Sequence, residues 1–312
     1  MKKNYILFLI LVLFIVGCSQ QNNSHNNPIK EETLILNNYG RQLIINRTPE
    51  KVLTLGPNCT ELMIALGLED LIIGNTLNNH SRGALDIYKE AYDKIPELNH
   101  GEATREAVLS SGADFIYGID WEFGDSALNI EELNDFGIDV YVNSATSLDE
   151  IFEEIRDLGK IFNVEDQAES FIEEQKQRIS VIEELSFKQG KKVNVLVYDS
   201  GNDGVFTASG SNFESLLIEL AGGHNIFSDL NDKQWLTVSY ESILERNPDV
   251  IIIHDYDSPS ITEKINEIKA NPVLSTLDCV KNERFVIISL ESVLPGSRMA
   301  HTVELLYQGF YE

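Results

Sequence analysis

The stretch from Ser147 to Leu185 constrains this fold more than any other, because it is a long helical pattern set between two halves that each alternate short apolar strands with helices. It opens with Ser147 and Glu150, the spacing of a capping box in which each side chain satisfies the other residue's orphan backbone N–H. Leu148, Ile151, Phe152, Ile155 and Leu158 recur at helical spacing, as do Ala168, Phe171, Ile172, Ile179 and Ile182 after a break near Asn163. That periodicity makes one apolar helical face. The second part alone predicts a rod of roughly 33 Å at 1.5 Å per residue. Such a helix is either one crossover within a single sheet or a spine joining two lobes. We read it as the spine, so the expected fold is α/β: two lobes with mostly parallel sheets, a single long spine helix over 147–190, and a ligand cleft between the lobes. A continuous helix resists the φ/ψ changes that loop hinges absorb, so lobe motion is expected to be small.

The start of the chain speaks to compartment. Lys2 and Lys3 precede an apolar run from Tyr5 to Val16, too short to span a bilayer, which reads as a signal peptide over 1–17. The run ends in Ile15-Val16-Gly17-Cys18, which resembles the bacterial lipobox; a short buried helix with an incidental Cys is the competing reading. Residues 18–32 form a polar tether rich in Gln, Asn and Ser. The globular part is expected on the extracytoplasmic face, held to the membrane by a lipid on Cys18.

Without Lys2 and Lys3, the 24 basic residues fall to 22 against 50 acidic ones. Nucleic acid is excluded as an expected partner, since its recognition relies on Lys and Arg neutralising phosphates. Cys59 and Cys279 lie in opposite halves, and both are expected to be free thiols.

The N-terminal lobe is assigned to 33–146. A hairpin around Asn38-Tyr39-Gly40 introduces it; strand Val52 to Leu55, a helix stopped by Gly67 and strand Leu71 to Ile73 follow. The aperiodic stretch from Leu77 to Glu97 predicts a cleft-edge loop with a short helix. Helix Arg105 to Ser111, strand Phe115 to Tyr117, helix Ala127 to Phe136 and strand Val140 to Val142 complete it. The C-terminal lobe, 191–312, repeats the scheme with strands from Val193, Val205, Val250 and Phe285 and helices from Phe213, Tyr240, Ile261 and Arg298.

Two segments match across the spine, EAVLSSGADFIYG from Glu106 and ESILERNPDVIII from Glu241, each with Asp eight positions later (Asp114, Asp249). A carboxylate at a helix N-terminus is favoured by the helix dipole, so both Glu residues could simply cap. Together with TLGPNCTELMIALGLEDLIIG, FESLLIELAGGHNIF and WLTVSYESILERNPDVIII, these segments resemble the substrate-binding proteins of ABC importers for ferric siderophores, haem and cobalamin, from about Val52 to the C-terminus. The resemblance implies two α/β lobes on one long helix, and places on Glu106 and Glu241 the two glutamates that dock into Arg pockets of the permease dimer. It implies an ATPase-driven importer as partner, a metal-chelate small molecule as ligand and a monomeric receptor.

Trp235 falls where cobalamin binders of that family stack an aromatic residue, and Trp121 lies two residues beyond another such place. His100 stands where a Trp can precede the first docking Glu. A catecholate siderophore needs cationic partners, for which Arg82, Arg105 and Arg298 are the candidates. Either Trp could instead be ordinary core, and Arg298 a helix cap. Tyr198, Asp199, His254 and Tyr256 follow strand ends of the second lobe, the edge where α/β sheets place ligands. The competing class is a bare Zn or Mn receptor using the scattered His80, His100, His224, His254 and His301. A surface enzyme is disfavoured, since GxSxG, HExxH, P-loop and GxGxxG motifs are missing and Ser209-Gly210-Ser211 has no nucleophile frame. No cofactor and no resident metal are expected.

Overall fold

The computed structural model describes residues 33–312 apart from Asp125, Ser126 and Asn202. Cys18, the apolar run before it and the tether lie outside the described residues. The chain opens on a hairpin, β1 (Leu34–Asn38) and β2 (Arg41–Ile45), turned by Tyr39 and Gly40. Both turn residues take positive φ, 52° and 72°, the geometry that matches the twist of the flanking strands. The hairpin lies along an exposed sheet edge: Asn38 donates to the Val142 carbonyl and accepts from the Val142 N–H, and Arg41 donates to the Val140 carbonyl.

That sheet is built from β3 (Val52–Leu55), α1 (Pro57–Ala65), β4 (Ile72–Thr76), α2 (Asp86–Tyr92), α3 (Arg105–Ser111), β5 (Phe115–Ile119), α4 (Ile130–Asp135) and β6 (Asp139–Asn143). Its strands are all parallel in the order β4-β3-β5-β6. Every residue of β3 and β5 is buried, as a parallel sheet covered on both faces requires. Helix α4 is shorter than the Ala127 to Phe136 expectation, because the Asn129 side chain accepts from the Glu132 N–H and starts the helix there.

The linking segment is two helices, α5 (Leu148–Phe162) and α6 (Glu165–Gln189), rather than one. Asn163 is left-handed at φ 56° and ends α5. Gly159 lets the two helices pack closely, since a Cβ there would lie 2.9 Å from the Ala168 Cβ. Helix α5 belongs to the first lobe, where its buried Glu154 accepts from Tyr117 and Asn143. The spine proper is α6, about 37 Å at 1.5 Å per residue for its 25 residues. Ser147 does cap α5, but the Glu150 carboxylate reaches one residue further back, to the Thr146 N–H. The reciprocal capping box occurs instead at Ser260 and Glu263.

The second lobe runs through β7 (Val193–Tyr198), β8 (Ser200–Gly201), β9 (Val205–Ala208), α7 (Phe213–Leu220), β10 (Gly223–Asn225), β11 (Trp235–Val238), α8 (Tyr240–Arg246), β12 (Val250–Asp255), α9 (Ile261–Ala270), α10 (Asp278–Lys281), β13 (Phe285–Ser289) and α11 (Met299–Tyr311). Its parallel sheet, β10-β7-β12-β13, repeats the strand order of the first, and β11-β9-β8 form a small antiparallel sheet beside it. Strands β10 and β11 are additions to the sequence reading: Gly222-Gly223 read only as a helix stop, and Trp235 as the approach to α8.

The repeat explains the matched Asp residues. Asp114 accepts the Lys51 N–H at 2.8 Å while its own N–H donates to the Lys51 carbonyl; Asp249 makes the same reciprocal pair with Asn194 at 2.9 Å and 2.8 Å. Each Asp pins the register where two neighbouring strands begin. The lobes share one apolar core, in which α1, α5 and α6 residues continue into β7, α7 and α11, while each sheet's other face has a cluster of its own. The spine also holds α11 directly: Gln175 accepts the Ala300 N–H, and Arg178 grips Glu304 at 2.9 and 2.8 Å.

A buried ion pair closes the base of the cleft. Arg298, 5 % exposed, donates to both oxygens of Glu61 at 2.6 and 2.7 Å and to Glu291 at 3.0 Å. Breaking such a pair strands a carboxylate in the interior at about 3–5 kcal/mol. Arg298→Ala is therefore expected to lower unfolding stability by about that amount in a urea titration; a change inside experimental error would show that the pair holds nothing.

Candidate functional site

Both parallel sheets deliver their carboxyl ends to the same cleft. His80 sits on the turn after β4, Trp121 on the turn after β5, Asp199 just after β7, Tyr256 just after β12 and Leu290 just after β13, while Phe206 and Trp235 come from β9 and β11. Together with Glu102 they line a cavity of about 310 Å³, within the usual range for small-ligand sites. A narrower recess below it is shared by Trp121 and Trp235 and floored by Asn143, Phe213 and Pro295. Two other depressions, about 360 Å³ by Phe187 at the end of α6 and about 480 Å³ by Phe171, lie on the outer surface without a convergent aromatic set.

The aromatic wall follows from strand geometry. Trp235 pairs with Ala208 and Thr237 with Phe206 in the antiparallel ladder, so Trp235 and Phe206 are diagonal neighbours on one face. Their rings stack at 5.6 Å with 20° between planes. On the facing side His80 stands 6.4 Å from Trp121 and 6.0 Å from Tyr256, bridging a first-lobe and a second-lobe ring. Burial lowers the His80 pKa, against the opposing pull of Asp199 and Glu102, and favours the neutral imidazole.

Behind this wall lies a buried charge network. Asp199 accepts from His254 Nδ1 at 3.0 Å and from the Tyr256 hydroxyl at 3.1 Å, and the other His254 nitrogen faces Glu214 at 3.1 Å. Burial alone would lower the His254 pKa, but Glu214 and Asp199 outweigh it and raise the imidazole to about 9. Burial would raise Asp199, yet its bond to His254 holds it below the usual carboxylate range. Lys264, lowered to about 8 by burial, donates to the His254 carbonyl and lies 3.6 Å from the centre of the Tyr256 ring.

Of the residues singled out in the sequence, Trp121, Trp235, Asp199 and Tyr256 meet at the cavity. Arg298 does not: it is spent on Glu61 and Glu291 inside the protein, so it neither caps α11 through its side chain nor faces a ligand. Tyr198 is also removed from the cleft, 1 % exposed in the core on the other side of its sheet, because alternate strand residues face opposite ways. His100 sits exposed at the rim, between Glu97 at 3.2 Å and Asp257 at 3.3 Å. Arg82 likewise crosses the rim to Asp255 at 2.8 Å, and Arg105 is held by Glu132. Glu102, Phe206 and Leu290 escaped sequence reasoning, as did the role of His80. Phe206 is exposed between buried Val205 and Thr207 on β9, an alternation that shows only in the structure.

Glu106 and Glu241 are the second residues of α3 and α8, both exposed, and neither carboxylate makes a hydrogen bond or ion pair among the described residues. The caps belong to others: Thr104 accepts the Ala107 N–H and Ser239 the Ser242 N–H. The glutamates make no cap hydrogen bond, stand in the first turn where the helix dipole favours a carboxylate, and sit at equivalent places in the two repeats. Among the described residues Cys59 and Cys279 are buried free thiols in different lobes, and no helix is long and apolar enough to cross a membrane.

Comparison with known proteins gives a consistent picture. The family model described as periplasmic binding protein matches residues 52–290. The chain is 24 % identical over 323 residues to the ABC transporter substrate-binding lipoprotein YvrC of Bacillus subtilis (strain 168), covering 100 % of this chain and 98 % of the relative. It is 26 % identical over 208 residues to the vitamin B12-binding protein of Yersinia pestis (strain Pestoides F), covering 65 % and 69 %. A crystal structure of a periplasmic binding protein from Veillonella parvula superposes with a TM-score of 0.79 at 26 % identity, covering 89 % of this chain and 97 % of that one.

The His254 network carries a pH signature. A histidine free at about 6.5 when unfolded and raised to about 9 when folded contributes stability that is whole below the first value and lost as pH rises through the second. Stability should therefore fall between about pH 6.5 and 9, with Lys264 acting in the opposite sense only above its lowered value of about 8. His254→Gln should flatten this slope in denaturant melts across the window; parallel slopes in the two proteins would mean that the imidazole is uncharged in the fold.

Proposed function

We propose that this chain, which belongs to the periplasmic binding protein family, is the substrate-binding component of an ABC importer, anchored by a lipid on Cys18 at the extracytoplasmic face, and that it captures a metal chelate in the cleft. The ligand class is a ferric siderophore or related iron complex, or a corrinoid. The observation that carries this reading is the meeting of Trp121, Trp235, Phe206 and Tyr256 from two lobes in one cavity at the carboxyl ends of both sheets. A flat or ring-shaped chelate offers broad faces that stack on such walls. Among the described residues no three His, Cys, Asp or Glu side chains are placed to hold a metal ion, which supports a ligand that brings its own metal shell over a bare ion. Capture involves no covalent chemistry in this chain; transport is driven by the importer's ATPase.

Glu106 and Glu241 are the docking points for the two permease subunits. Two like carboxylates, presented at equivalent places in two repeats and unspent on caps, suit a two-fold partner. The name of YvrC supports the lipid anchor: that relative is called a lipoprotein.

Intrinsic tryptophan fluorescence of the mature, unlipidated protein, titrated with cobalamin, haem and a panel of ferric siderophores, tests the capture. One class should quench tightly, and Trp235→Ala should weaken it by on the order of tenfold, about 1.4 kcal/mol. Binding of free Zn or Mn with no response to any chelate would sink the reading. For docking, Glu106→Ala combined with Glu241→Ala should leave the quenching titration unchanged while abolishing uptake in cells; lost affinity in the double variant would place these residues on the ligand side instead.

A further inference from the structure

The cations near the cleft are already matched to partners within the protein. Arg82 is matched to Asp255, Arg105 to Glu132, and Arg298 to Glu61 and Glu291. Lys264 lies behind the Tyr256 ring, its amine donating to a backbone carbonyl. The residues that line the cavity are instead five aromatic rings counting His80, one leucine and the carboxylates Glu102 and Asp199. A polyanionic chelate entering this space would meet two like charges and, among the described residues that line it, no cationic side chain, and an uncompensated charge in a partly buried site is costly. A cation would meet ring faces and a fixed carboxylate, each favourable.

We propose that the cleft selects a chelate carrying positive charge, its cationic group set between Asp199 and Glu102 and against the faces of Trp235 and Trp121. This rests on the chelate-receptor reading above and names the charge class of its ligand. Asp199 is the fixed element. His254 and Tyr256 occupy one acceptor position on each of its oxygens, and an ionised carboxylate has about four, so acceptor capacity toward the cavity remains. Glu214, fully buried, bonds the far nitrogen of His254 and keeps that ring from turning. Glu214 and His254 are positioning residues; Asp199 and Glu102 set specificity. Glu102 is exposed and stands outside the buried network.

The test is a charge series on one metal centre: a ferric trihydroxamate bearing a pendant ammonium, its neutral N-acetyl form and its anionic N-succinyl form, with cobinamide and cobalamin as the corresponding corrinoid pair, all read by tryptophan quenching. The cationic member should bind tightest, with about a tenfold step for each unit of charge, as expected of one desolvated charge contact. Glu102→Gln, which leaves the buried network untouched, should shrink the steps, and Asp199→Asn should shrink them further. Equal affinities, a reversed order, or steps undiminished in Glu102→Gln would overturn the charge preference while leaving the receptor reading intact. No response to any chelate of any charge would overturn both.

Discussion

The cleft depends on the ion pair between Arg298 and Glu61. It joins the start of α11 to the middle of α1, and α1 is buried along nearly its whole length. Asn58, on the same helix, donates to the Pro295 carbonyl and to Asn143, so the loop before α11 is stitched to the first lobe at several points. Below these bonds the apolar core runs unbroken from one lobe to the other. The rim is different in kind. Arg82 to Asp255 and His100 to Asp257 are exposed pairs, and exposed pairs contribute about 0–1 kcal/mol. A strong base and a weak rim are the distribution of contacts expected of a site that admits a ligand at its mouth without a large hinge swing.

Much of this architecture was legible in the sequence because its signals are local. The alternation of apolar strands with stopped helices located the parallel strands β3, β5, β7, β12 and β13, and the apolar face from Ala168 to Ile182 is the buried face of α6. Strands β10 and β11 were not legible. Each has three or four residues, and their pairing with β7 and β9 is a tertiary event with no periodicity of its own. The same limit applied at the site. Trp121, Trp235, Asp199 and Tyr256 could be named because they follow strand ends or match a family position, whereas Glu102 and Phe206 reach the cavity only through loop and ladder geometry. Arg298 and Tyr198 had the right neighbours in sequence but point into the interior, and one residue of strand parity suffices to send a side chain to the other face.

The internal repeat separates structural from functional matches. Asp114 and Asp249 are alike because both strand pairs need their first register fixed, and the reciprocal bonds with Lys51 and Asn194 explain that match without any function. Glu106 and Glu241 have only the weak pull of a helix dipole as such an explanation. The orphan N–H groups at their helix starts are served by Thr104 and Ser239, and the carboxylates project from the surface unpaired. The docking proposal rests on this match, which no bond within the fold accounts for.

The same logic applies to His254. A buried cluster of two carboxylates and an imidazole is a poor way to stabilise a fold, since well-packed apolar residues of similar volume do as well or better. Here Asp199, His254 and Glu214 lie directly behind the cavity, and the edge of the His254 ring meets Trp235 at 5.8 Å. Tyr256, bonded to Asp199 and backed by Lys264, belongs to the same assembly. Holding Asp199, Tyr256 and Trp235 in one arrangement before a ligand arrives lowers the ordering entropy that binding would otherwise cost. The buried charges make sense as the rigid backing of the second-lobe wall of the cavity.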